Sequence, residues 1–234
     1  MKSVIIIPTY NERENISQLV TEIFDTVPTS VYVMVVDDNS PDGTGDIVES
    51  LKKMFPRLSL LHRRGKEGLG KAYLDAFGKV LEDKEVDSLI MMDADFSHHP
   101  RYLKEILSKK DDYDVVVGSR YVPQGTVEGW ELWRRVLSFG GNLYCRIITR
   151  ISINDCTGGF NLIRTDILRK IDPSSFDASG YAFIFELKYL LFNEGARFVE
   201  VPIIFKNRTG GESKISNHII KEGILAPWKM IMKK

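Results

Sequence analysis

Cysteine, surplus charge and long apolar runs are all scarce in this chain. Its 234 residues include two cysteines, Cys145 and Cys156, with no C-x-x-C and no His/Cys cluster at zinc spacing. A disulfide scaffold is not expected at that density, and a reducing cytosol is the default setting. Lys plus Arg and Asp plus Glu both number 32, so the formal net charge is zero. That balance argues against nucleic-acid binding, which draws on a basic surplus. No stretch of 18 or more apolar residues occurs, so no transmembrane helix is expected. The opening run Lys2–Pro8 is too short for a signal-peptide core and leads to no cleavage site. The expectation is a soluble or peripheral protein. Two phosphate motifs are also missing. There is no G-x-G-x-x-G after the first strand and no G-x-x-x-x-G-K-[ST] anywhere, which sets aside a dinucleotide cofactor and a P-loop ATPase.

What is present alternates. Val4–Ile7, Val31–Val36, Leu58–Leu61, Ser88–Met92 and Tyr113–Gly118 read as short apolar strands. Between them, 12–25, 42–54 and 69–81 carry helical spacing, with a further helix near Tyr102–Ser108. The fold class is α/β, a mostly parallel sheet built from βαβ units with helices on its faces. Beyond residue 120 the alternation breaks. Trp130–Ile151 mixes apolar residues with Arg134, Arg135, Arg146 and Arg150, and Asp155–Phe160 is a turn. Tyr181–Asn193 reads as a helix and Arg197–Phe205 as one strand. Arg208–Lys214 reads as a polar loop with Gly210-Gly211 as a hinge, and His218–Ile231 is amphipathic. No repeat or linker interrupts the chain, so a single domain over 1–234 is expected.

The chemistry concentrates at strand ends. In a parallel sheet, Pro8-Thr9-Tyr10-Asn11-Glu12, Asp37–Thr44 and Asp93-Ala94-Asp95 follow strands on one edge, the edge where open α/β sheets bind ligands. Each turn alone reads as ordinary cap chemistry, Asp93 and Asp95 as a cap for the helix near Pro100. Three acidic clusters on one crevice instead suit a nucleoside. Carboxylates would take its hydroxyls or N–H groups, and a hard cation would bridge Asp93 and Asp95 to a diphosphate. Gly65–Lys71 reads as a tight turn, and His98 and His99 as a solvent-facing pair. Trp130–Ile151 and His218–Ile231 resemble interfacial helices, although most of their apolar residues are expected on the protein's own core. Arg134 and Arg135 are candidates for holding a second phosphate.

These strings resemble a known family. Ile-Ile-Pro-Thr-Tyr-Asn-Glu-Arg-Glu-Asn at 6–15 and Val-Asp-Asp-Asn-Ser-Pro-Asp-Gly-Thr at 36–44 are similar to the opening of the family 2 inverting glycosyltransferases. Met-Asp-Ala-Asp-Phe-Ser-His-His-Pro at 92–100 narrows the resemblance to the dolichol-phosphate mannosyltransferases, with Val-Gly-Ser-Arg-Tyr at 117–121, Asp-Cys-Thr-Gly-Gly-Phe at 155–160 and Gly-Glu-Ser-Lys at 211–214 in agreement. The resemblance covers nearly the whole chain. It implies a glycosyltransferase A-type fold, with 1–120 as the nucleotide-binding half and 121–234 as the acceptor-binding half. It implies mannose transfer from GDP-mannose to dolichyl or another polyprenyl phosphate on the cytoplasmic face of a membrane, with Mg²⁺ or Mn²⁺ as cofactor. Position by position, Pro8, Tyr10, Glu12, Val36 and Asp38 match the nucleoside pocket. Asp93, Ala94 and Asp95 match the metal and diphosphate site. Arg120, Arg208 and Lys214 match the basic residues around the phosphates. Asp93, Asp95, Arg208 and Lys214 are thereby the implied catalytic residues, and Ser97 is a metal-ligand candidate where some members carry Gln. The chain resembles the short form without appended transmembrane helices, which implies peripheral membrane contact or a membrane-anchoring subunit.

Overall fold

The computed structural model describes residues 2–176, 182–206 and 217–232. Strand β1 (Lys2–Thr9), helix α1 (Ile16–Thr26), β2 (Val31–Asp37), α2 (Thr44–Leu51), β3 (Leu58–His62), α3 (Leu69–Glu82) and β4 (Val86–Met91) follow in the expected alternation. Next come α4 (Leu103–Ser108), β5 (Val115–Ser119), β6 (Thr126–Glu128), α5 (Leu132–Thr149), β7 (Asn161–Arg164), α6 (Thr165–Leu168), α7 (Ala182–Asn193), β8 (Phe198–Pro202), β9 (Ile204–Lys206) and α8 (Asn217–Met232).

Seven strands form one sheet in the order β3-β2-β1-β4-β7-β5-β8. All run parallel except β7, which lies antiparallel between β4 and β5. Helices cover both faces, which is why the strands read as unbroken apolar runs. Ile5, Ile6 and Ile7 of β1 are fully buried, pointing alternately into two cores. One core packs Tyr73, Phe77 and Phe183 from α3 and α7. The other takes the Ile16, Leu19, Val20 and Ile23 stripe of α1.

The departures from the expected elements have local causes. Helix α1 starts at Ile16 because the preceding backbone N–H groups serve the neighbouring loop. Glu12 donates to Thr44 Oγ1 at 3.0 Å and Arg13 to Asp42 Oδ2 at 3.1 Å. The expected strand 197–205 is two strands. Ile203 ends the pairing with β5 by donating to Ser119 O, accepts from Thr126 N, and passes the chain to the separate β6–β9 ribbon. The short β7 was unforeseen, since four residues give too little alternation to register.

Candidate active site

Strand order reverses at β1, with β2 and β3 to one side and β4 to the other. Such a switch point opens a crevice at the carboxyl ends of the strands. The loops after β1, β2 and β4 converge there, as does the turn that leads into β7. The first two are stitched together. Asp37, fully buried, accepts from Thr9 Oγ1 at 2.9 Å and from the backbone and hydroxyl of Ser40. Ser40 in turn accepts from Asn11 N at 3.1 Å. Asp37 is therefore a structural carboxylate, while Asp38 faces the other way into an ion pair with the buried Arg63. Burial raises the Asp38 carboxyl above its usual range, against the opposing pull of Arg63. Arg63 is fixed from behind by Asp75 at 2.7 Å.

The loop after β4 holds Asp93 half-buried and Asp95 at 8 % exposure. Ser97 gives both its backbone N–H, at 3.1 Å, and its hydroxyl to Asp95 Oδ1. Between them Phe96 sits at φ +60°, a left-handed conformation that is costly for a bulky side chain and is typically kept at functional loops. His98 corrects the expectation of a solvent-facing pair. It is 2 % exposed, stacked on Phe160 with ring centroids 5.0 Å apart, and its Nδ1 accepts from Asp93 N at 2.9 Å. Burial holds it below the ordinary histidine pKa, so it is neutral and locks the loop through an acceptor nitrogen. His99 Nδ1, not an aspartate, accepts from Arg101 N to start the 3₁₀ turn at Pro100.

Arg120, just beyond β5, is buried and pairs with the fully buried Asp155. Its Nε reaches Oδ2 at 2.8 Å and its Nη2 reaches Oδ1 at 2.7 Å, and Arg120 N also donates to Oδ2 at 3.0 Å. The opposing charge of Arg120 overcomes burial and holds Asp155 down at about 2. The 154–158 turn is held from three further sides. Asn142 of α5 accepts from Cys156 N and Thr157 N, Glu200 of β8 accepts from Asn154 N and Asp155 N, and Lys188 of α7 donates to the carbonyls of Asp155 and Gly158. Tyr121, Trp130 and Phe205 surround the Arg120 guanidinium at 5.3, 5.8 and 5.4 Å. Arg134 stacks on Trp130 at 4.0 Å. Phe205 is also in edge contact with His98 at 5.7 Å, so one aromatic wall joins the acidic loop to the arginines.

Pro8, Tyr10, Glu12, Asp38, Asp93, Ala94, Asp95 and Ser97 thus lie in loops or strand ends at one edge, with Val36 buried in β2 beneath them. Tyr10 is partly exposed with the Lys66 ammonium 3.9 Å over its ring. Arg208 and Lys214 lie outside the described residues. Sequence reasoning missed Arg63, buried His98 and Lys188. Only the apolar surroundings of Lys188 in α7 could have flagged it. It also placed most apolar residues of α5 on the core. Only Asn142, Cys145 and Thr149 are buried there, while Leu132, Val136, Phe139 and Ile147 face outward.

Among the described residues no group of three or more His, Cys, Asp or Glu gathers as a metal cage. A structural zinc site is thus not formed there, but Mg²⁺ and Mn²⁺ suit two carboxylates completed by a substrate's phosphates. Asp93, half-buried, and Asp95, buried, sit in a loop fixed by hydrogen bonds from Asp93 N to His98 and from Ser97 to Asp95, and they fit that mode.

Residues 4–172 match the model of glycosyl transferase family 2. The chain is 42% identical over 231 residues to polyprenol monophosphomannose synthase of Mycolicibacterium smegmatis, covering 97% of this chain and 86% of that one. It is 41% identical over 225 residues to undecaprenyl-phosphate mannosyltransferase of Micrococcus luteus, covering 96% and 92%. Among solved structures it superposes on glucosyl-3-phosphoglycerate synthase from Mycobacterium tuberculosis, in complex with Mn²⁺, UDP-glucose and phosphoglyceric acid, with a TM-score of 0.66 at 15% identity. That match covers 97% of this chain and 79% of the other. S. aureus TarS in complex with UDP-GlcNAc gives a TM-score of 0.63 at 21% identity, covering 99% and 67%. The reversed strand order at β1, the acidic loop beside it and a family pattern spanning the sheet agree: the chain has the glycosyltransferase A-type fold and belongs to glycosyl transferase family 2.

Proposed function

We propose that this protein transfers mannose from GDP-mannose to dolichyl or another polyprenyl phosphate, with inversion, while attached peripherally to the cytoplasmic face of a membrane. One observation carries the reading. The acidic loop and the Arg120–Trp130–Arg134 cluster are joined by the His98–Phe205 wall, a place for a nucleoside diphosphate on one side and a second anion on the other. The names of both mannosyltransferase relatives, which specify polyprenyl acceptors, support it. The buried Trp130 indole N–H has no hydrogen-bond partner among the described residues. An unmatched donor costs about 1–3 kcal/mol, which an acceptor phosphate oxygen would offset.

In this reaction an oxygen of the lipid phosphate attacks C1 of mannose as the bond from C1 to the GDP β-phosphate oxygen breaks, and GDP leaves with the electron pair. The attacking phosphate has a second pKa of about 6, so it is largely ionised at neutral pH and needs no general base. The chain must instead hold two anions in line. Asp93 and Asp95 would hold Mg²⁺ or Mn²⁺, which supplies positive charge to the departing diphosphate. Asp38, braced by Arg63, is placed for the nucleoside with Pro8, Tyr10, Glu12 and Val36. Among the described residues Arg120 commits Nε and Nη2 to Asp155 and Thr157, and its Nη1 hydrogens would serve an anion. Arg208 and Lys214 complete the proposed cationic set.

The acceptor's hydrocarbon needs a lipid surface. Among the described residues no helix is long and apolar enough to cross a membrane. Leu132, Val136, Phe139, Leu143 and Ile147 nevertheless form an exposed apolar row on α5, and Ile224, Leu225 and Trp228 one on α8. The two helices are tied by Tyr144, which donates to Ile224 O and accepts from Trp228 Nε1. Exposed rows flanked by Arg134, Arg135 and Lys229 suit the headgroup boundary. The test is incubation with radiolabelled GDP-mannose, Mg²⁺ or Mn²⁺ and a polyprenyl phosphate in detergent. Organic-phase label that EDTA abolishes is expected. Label only with UDP-glucose would overturn the donor, and binding of GDP-mannose without turnover on any lipid phosphate would make the chain a non-catalytic subunit.

A further inference from the structure

Helix α7 is buried almost all round, with Phe183, Ile184, Phe185, Leu187, Tyr189 and Leu191 in the core, yet carries Lys188 at 1 % exposure. An ammonium so placed is heavily penalised unless its protons are matched. Lys188 Nζ donates to Asp155 O at 2.8 Å and to Gly158 O at 2.9 Å. Those two carbonyls bracket the turn whose opposite side faces the site. There the Asp155 carboxylate takes the fork of Arg120, and Gly158 N donates back to Asp155 Oδ1 at 2.8 Å. The next residue, Gly159, has no room to spare, since a Cβ on it would lie 3.2 Å from His98 Cε1 and 3.8 Å from Asp93 Oδ1.

We propose that Lys188 is a positioning residue for the transfer: from beneath, it fixes the 155–159 turn, and the turn fixes both the Arg120 guanidinium and the wall behind Asp93. Lys188 touches neither substrate nor metal, so it acts only through these groups, and its role rests on the reaction proposed above. The charged or titratable groups that face it are Asp155, Cys156, Arg120 and Glu200. Burial lowers Lys188 to about 8, so in mild alkali the amine keeps its two hydrogen bonds but loses the charge opposite Asp155.

The experiment compares wild type with Lys188→Met. Turnover, GDP-mannose affinity by calorimetry and the Arg120 Nε–H resonance, assigned through its loss in Arg120→Lys, are measured from pH 6.5 to 9.5. The variant is expected to bind the donor like wild type while kcat falls about 10- to 100-fold, the scale seen when groups that orient a site are removed. Its Arg120 resonance is expected to shift or broaden. Wild-type kcat and the wild-type resonance should both change with a midpoint near 8, and that change should be missing in the variant. An unmoved Arg120 resonance, or kcat per folded molecule equal to wild type, would overturn the proposal. Should Lys188→Met fail to fold, the wild-type titration decides alone: a resonance and kcat flat through pH 8 refute it. Wild type that transfers no mannose to any lipid phosphate would sink the functional reading instead, while the resonance still reports whether Lys188 sets Arg120.

Discussion

Replacing Asp155 by Asn tests whether the buried ion network or the apolar core holds the site half of the sheet. Among the described residues the Asp155 carboxylate receives four hydrogen bonds: Arg120 N and Nε on Oδ2, Arg120 Nη2 and Gly158 N on Oδ1. Asparagine keeps one accepting oxygen, so two of the four donors would face its NH₂ group. It also strips the counter-charge from Arg120 and from Lys188, both buried. Two routes give the size. Asp155 is held down to about 2 in the fold against about 3.9 when unfolded, a difference equivalent to about 2–3 kcal/mol. Removing one partner of a buried pair costs roughly 3–5 kcal/mol. A loss of about 2–5 kcal/mol in urea unfolding at pH 7 is expected, with the m-value unchanged.

The sign of the pH dependence sharpens the test. The depressed pKa contributes stability that is present above the unfolded value and lost as pH falls through the folded one. The asparagine variant lacks that contribution at every pH. The stability gap between wild type and variant should therefore be full above about pH 5 and narrow toward pH 2, where protonated Asp155 resembles asparagine. A gap below about 0.5 kcal/mol at pH 7, the range of an ordinary surface change, would refute the reasoning. So would a gap that stays constant down to pH 2.

Three shorter predictions concern the site and its surface. Asp95→Ala should abolish transfer and, by leaving Ser97 N and Oγ without their acceptor, cost about 1–3 kcal/mol of stability; substantial turnover in the folded variant would remove the acidic pair from the chemistry. Arg63→Met leaves Asp38 buried without its cation, so its raised pKa rises further. Calorimetry should find donor binding weakened about 10-fold or more at pH 7, a loss of about 1.4 kcal/mol, and failing at a higher pH than in wild type as acid is added. Val136→Glu together with Ile147→Glu, at 63 and 68 % exposure, should reduce sedimentation with anionic vesicles but barely change stability. Unchanged sedimentation would turn attention to a protein anchor.

The strands and the three acidic turns were legible because burial on both faces forces continuous apolar runs, and because polar turns must follow them. Asp93 and Asp95 announce themselves by position: carboxylates directly after a buried strand. Which carboxylate of a pair does what was not legible. Asp37 and Asp38 are adjacent and chemically equal, yet one is spent on Thr9 and Ser40 and the other on Arg63. That division follows from strand alternation, which turns neighbours to opposite sides, plus the distant partners Thr9 and Arg63, 28 and 25 residues away in the chain.

The outward row of α5 shows the same limit from the other direction. An amphipathic pattern fixes the angle between apolar and polar faces but not which face meets the protein. In α1 the apolar stripe turns inward, with Ile16, Leu19, Val20 and Ile23 fully buried. In α5 the small and polar residues Asn142, Cys145 and Thr149 turn inward instead. The reason lies in the 154–158 turn, whose backbone N–H groups need an acceptor and find Asn142 Oδ1. Asn142 must point at the turn, and α5 then has one rotation available, with Val136, Leu143 and Ile147 left outside. The polar contact that shapes the site beside Arg120 is thus also what exposes the apolar face. On this reasoning Asn142→Leu, by freeing the rotation, should impair turnover and lipid binding together. Loss of one with full retention of the other would show the two to be set independently.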